Sequence, residues 1–76
     1  MNNPTCIKEG LTYDQALETI DYLFGMFCDI ETTPEKVRAI YKGELVVNYN
    51  KHFGCLMVSK DFIELRKQLL KDYIRR

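Results

Sequence analysis

The segment TPEKVRAIYKGELVVNY, residues 33–49, carries a change of hydrophobic period on which the fold class turns. Thr33 is of a helix-capping type, and Pro34 suits the first helical position, where a missing amide proton costs nothing. Val37, Ile40 and Tyr41 recur at helical spacing and Gly43 is a natural stop, so the first half reads as a short helix. From Glu44 the period drops to two: Leu45, Val46, Val47, Asn48 and Tyr49 are strand formers, and Phe53 to Val58 is a second such run. Asn50, Lys51 and His52 then read as the turn of a β-hairpin. Two registers stay open. A two-residue loop at Asn50-Lys51 places Leu45, Val47, Tyr49, Gly54, Leu56 and Val58 on one face, whereas a three-residue loop groups the first three with Phe53, Cys55 and Met57. Both faces keep apolar residues either way, so one covers the helices and the other needs a third layer, a partner chain or tolerance of exposure.

Toward the amino terminus, Thr12 and Gln15 have the spacing of a capping box, which opens a run with Tyr13, Ala16, Leu17, Ile20, Leu23, Phe24, Phe27 and Cys28 on one stripe. This predicts a helix of roughly four turns ending near Asp29 to Thr33. Toward the carboxyl terminus, Ser59 is placed to cap a last helix whose apolar stripe is Phe62, Ile63, Leu65, Leu69, Leu70, Tyr73 and Ile74. Thr5 to Lys8 is a candidate third strand. The expected fold is α+β: two N-terminal helices, a β-hairpin with that optional strand, and a C-terminal helix packed on one side of a small antiparallel sheet. Because a two-stranded hairpin is marginal alone, it must be pinned by helices or extended in a homodimer.

The 76 residues allow one small domain, residues 1–76, and exclude multidomain enzymes and repeat arrays. Eleven bases balance eleven acids, which argues against a general polyanion binder. The balance hides an asymmetry: residues 1–35 hold Lys8 against seven acids, and residues 60–76 hold six bases against three acids. No stretch has the length and apolarity of a membrane span, and Met1-Asn2-Asn3-Pro4 lacks the order of a secretory signal. With an odd number of cysteines (Cys6, Cys28, Cys55), the expectation is a cytoplasmic protein with reduced thiols and no membrane association.

His52 and Cys55 form an H-x-x-C pair that Cys6 and Cys28 could complete as a zinc tetrahedron. Cys28, however, lies on an apolar stripe and the other ligands lack paired spacing, so the thiols read as core filler and His52 as an exposed turn residue. No metal ligand and no cofactor is assigned. The four glycines are isolated, the acids Asp29, Glu31 and Glu35 lack the pattern of a calcium loop, and no nucleophile has an evident base and orienting group, so no enzyme is expected.

Two surfaces depart from a plain amphipathic plan. Tyr22 and Met26 lie opposite the apolar stripe of the first helix, with the helix-breaking Gly25 between them, as though another backbone approached there. Tyrosine and methionine are interface residues, although both become core if a neighbouring helix wraps that side. On the last helix Lys60, Lys67 and Lys71 form a row with Arg66, Arg75 and Arg76 nearby, interrupted by Asp61, Glu64 and Asp72. The order helix, helix, hairpin is shared with winged-helix DNA binders, but Glu35, Lys36, Arg38 and Lys42 make a poor base-reading helix. The expected function is therefore a protein-binding module, a stand-alone regulator or inhibitor of a larger protein, of a size that suits a phage or mobile-element product directed at a host enzyme or defence system. Its partner-binding residues would be Tyr22, Met26, Lys60, Arg66, Lys67 and Lys71. The alternative is a nucleic-acid-binding transcriptional regulator using the basic last helix.

Overall fold

Strand β1 (Pro4–Lys8), helix α1 (Tyr13–Phe24), strands β2 (Asp29–Thr32), β3 (Lys36–Tyr41), β4 (Glu44–Asn50) and β5 (Cys55–Ser59), and helix α2 (Lys60–Ile74) follow one another along the chain. This computed structural model describes residues 3–74, so Arg75 and Arg76 of the basic set lie outside the described residues. The strands form one antiparallel sheet in the order β1-β5-β4-β3-β2, a four-strand meander to which β1 adds at the free edge of β5. The α+β class and the optional N-terminal strand are as the sequence implies, but there is one N-terminal helix and the sheet has five strands.

The segment expected as a second helix is β3. Thr33 does cap, but it caps a turn: its Oγ1 accepts from the amides of Glu35 at 3.4 Å and Lys36 at 3.0 Å, with Pro34 setting the bend between them. Its far end is closed by Lys42 and Gly43, both at positive φ (50° and 81°), the two-residue arrangement whose twist matches a hairpin. Gly43 is thus a hairpin residue, tolerating a φ that side chains resist. Between these turns Val37 and Ala39 are fully buried and alternate with Arg38 and Ile40, a period of two. Asp29 to Thr32, expected as the end of a helix and a connection, instead pairs with β3 as the far edge of the sheet.

Helix α1 keeps its capping box, with Thr12 and Gln15 each bonded to the other's backbone amide. It is shorter than the stripe implies, ending at Phe24; Phe27 and Cys28 lie beyond it in a turn whose amides both donate to the Phe24 carbonyl. The β4–β5 turn is four residues, Lys51 to Gly54, pairing Asn50 with Cys55 and Tyr49 with Leu56. That loop is longer than either expected one, yet its parity gives the face of the two-residue reading: Val47, Tyr49, Leu56 and Val58 point together into the core. Helix α2 starts directly after Ser59.

Both helices cover the same sheet face. Ala16, Ile20 and Phe24 of α1 and Phe62 of α2 bury against Val37, Ala39, Val47, Tyr49, Leu56 and Val58. The rings of Phe24 and Tyr41 lie 5.9 and 5.3 Å from that of Phe62, locking the two helices and β3 at one point. At the other end the buried Tyr49 hydroxyl donates to the Leu11 carbonyl at 2.7 Å, fixing the β1–α1 connection. Among the described residues no helix lies over the opposite face, which carries the half-buried Ile40, Asn48, Cys55 and Met57. A five-stranded sheet completed within one chain removes the need for a partner strand, and with it the physical reason for expecting a homodimer. Both edges are blunted, β1 by Pro4 and a register shift between Cys6 and Lys8, β2 by its four-residue length and its acids.

Candidate functional site

The outer face of α1 is set by what its inner face must do. With Ala16, Ile20 and Phe24 buried, the residues half a turn away are Asp14, Glu18, Asp21 and Tyr22, all exposed. Tyr22 is 87% exposed and no neighbouring helix wraps it. Met26, 60% exposed, lies past the helix end, in the turn toward β2. Gly25 is the cap of α1 and not an interior residue, and what crowds it is the Asp21 carbonyl of its own last turn; its amide donates to that carbonyl at 3.0 Å. Both ends of α1 are held, because the Arg66 Nε of α2 donates to the Leu23 carbonyl at 2.8 Å while its guanidinium lies over the Phe24 ring. Beside Met26, Phe27 lines a shallow groove with Leu69, Asp72 and Tyr73 of α2.

The basic row divides in the structure. Arg66 is turned inward and occupied, Lys67 lies 3.5 Å from the Glu64 carboxylate, and Lys60 and Lys71 are exposed. Tyr22 and Met26 flank the end of α1, whereas Lys60, Lys67 and Lys71 follow a separate strip of α2 that also carries Glu64. The six residues thus form no single patch, and Arg66 joins α2 to the end of α1, beside which Tyr22 and Met26 lie.

The cysteines also divide. Cys6 and Cys55 are joined by a disulfide across β1 and β5, so two of the three are neither free nor core filler. Cys28 is free and buried, and burial together with the Asp29 carboxylate pushes its thiol up to about 11. His52 is an exposed turn residue, its Nε2 3.4 Å from the Glu35 carboxylate, which ties the β4–β5 turn to the β2–β3 turn. Among the described residues no three Cys, His, Asp or Glu side chains converge on a common point. Several apolar groups are exposed against the sequence reading: Leu65, Tyr73 and Ile74 of the expected α2 stripe are 39%, 57% and 78% exposed, leaving Phe62 as its buried residue, and Phe53 is 80% exposed at the tip of the β4–β5 turn. The Asn50-x-x-x-Gly54 spacing was its signal, since Asn50 accepts the His52 amide on its side chain and those of Phe53 and Gly54 on its carbonyl. Comparisons with protein-family models, curated proteins and solved structures find no match.

Proposed function

We propose that the chain is a protein-binding module that regulates or inhibits a larger protein, docking through the outer face of α1 with Tyr22 and Met26 as its anchors. The observation that carries this reading is Tyr22, a large ring left 87% exposed on a helix whose other face buries Ala16, Ile20 and Phe24. A tyrosine there loses little conformational freedom on binding, and a helix held by a capping box at one end and by Arg66 at the other is already in its docking geometry. Such anchors dominate interface energies, and the acids around them set orientation and encounter rate.

The test is capture of the binding partner from a lysate of the natural host, with and without nuclease, followed by native mass spectrometry. A nuclease-resistant complex of fixed mass is expected, lost with the double change Tyr22→Asp and Met26→Asp and kept with Lys67→Glu and Lys71→Glu. Material that disappears with nuclease, and is lost with the lysine changes, would favour nucleic-acid binding by α2 instead. That alternative starts with only three exposed lysines on α2 within the described residues, one of them beside Glu64.

A further inference from the structure

On β5, Cys55 and Met57 are two residues apart and flank the fully buried Leu56, so both face away from the helices. Across the ladder, Cys6 of β1 pairs with Met57. Three sulfur atoms therefore meet on the open sheet face: Cys6 is bonded to Cys55, and the Cys55 Sγ lies 3.4 Å from the Met57 Sδ. Cys6 is exposed and the other two half-buried, so the cluster is reachable from solvent, unlike Cys28.

We propose that, once its disulfide is reduced, the Cys6, Cys55 and Met57 cluster binds one soft monovalent metal ion of the Cu+ type. Two thiolates and a thioether are the donor set that such an ion prefers, while harder divalent cations prefer oxygen and nitrogen. Zinc would need a fourth ligand; the only histidine, His52, sits against Glu35 in the turn, and no Cys, His, Asp or Glu group completes the set among the described residues. A trigonal site with metal–sulfur bonds of about 2.3 Å needs sulfurs roughly 4 Å apart, close to the spacing that Cys55 and Met57 already have. The Cys6 and Cys55 Cα atoms, 6.2 Å apart, let the two thiolates separate by side-chain rotation alone. The reaction sequence balances: two molecules of a glutathione-class thiol deliver two electrons and two protons to the disulfide and leave as their own disulfide. The ion then displaces the two thiol protons to solvent.

The full chain, reduced and kept free of oxygen, is titrated with Cu+ supplied as its acetonitrile complex against a chromogenic Cu+ chelator, and the bound ion is examined by X-ray absorption. One ion per chain with a shell of three sulfurs is expected. Met57→Leu should leave two sulfurs and weaken binding at least tenfold, and Cys6→Ser should abolish retention, with circular dichroism confirming that each variant is folded. Cys28→Ala should change nothing. Failure to hold Cu+ against the chelator, a sulfur shell unaffected by Met57→Leu, or a requirement for Cys28 would each overturn the proposal. Should Cys6→Ser fail to fold, Met57→Leu, which keeps both thiols, decides the outcome.

Discussion

At Gly25 an added methyl group would lie 2.5 Å from the Asp21 carbonyl oxygen and 2.9 Å from its Oδ1. The backbone there, φ −61° and ψ −24°, is open to any residue, so the cost of a side chain is contact and not conformation. Gly25→Ala, a substitution that ordinarily stabilises helical backbone, is expected to destabilise by about 1–3 kcal/mol in urea melts. At Cys28 the thiol is held neutral, its folded value about 11 against an ordinary 9.0. Because folding favours the protonated form, this stability is fully present below pH 9 and is lost as pH rises through 11, at most on the order of 2 kcal/mol. Melting temperature should fall over that window, and Cys28→Ala should remove that part of the fall. Residues differ in how far sequence exposes their roles. Tyr22 was legible because a helical wheel alone places it opposite Ala16, Ile20 and Phe24. The inward turn of Arg66 was not, since its acceptor, the Leu23 carbonyl, is 43 residues away.

Among elements, α1 and α2 were legible because a helix closes its hydrogen bonds within a turn, and the Thr12–Gln15 box is complete in four residues. β3 was not, because Thr33-Pro34 offers the same hydroxyl and the same fixed φ to a helix start and to a β-turn. Only pairing with β2 and β4 on both sides selects the turn, and such pairing is a long-range property. Lys42-Gly43 was the missed signal, an X-Gly pair between two apolar runs where Asn-Gly is the familiar form. Lys42→Asn is accordingly expected to stabilise by about 0.5 kcal/mol, since asparagine adopts positive φ more readily. Thermal melts check this, and a lowered melting temperature would count against the turn assignment. The hairpin register was open in the sequence because both faces of β4 and β5 carry apolar residues; the Asn50-centred turn fixes it.

For the molecule as a whole, the acids of α1 and the lysines of α2 are carried by two helices on one side of the sheet, so the asymmetry seen in the sequence becomes two neighbouring fields instead of two distant poles. The Cys6–Cys55 bond links residues 49 apart in the sequence and so closes a long loop. By chain entropy such a link stabilises by about 4 kcal/mol, and measured values usually fall below that. Reduction with a dithiol is expected to lower the melting temperature by roughly 10 °C or more, and Cys55→Ser to match it, with no further effect of reductant on the variant. Composition and spacing could not reveal this pair, because three cysteines of irregular spacing point to no partner until β1 and β5 are known to adjoin. The same bond matters mechanically. β1 begins at Pro4 opposite Ser59, where α2 starts, so tension applied through β1 and α2 pulls both strands from the same end of their ladder. The ladder then peels like a zipper, one pair at a time, until the link at Cys6 is drawn taut. The oxidised chain bears its load there on a covalent bond, and the reduced chain would keep unravelling.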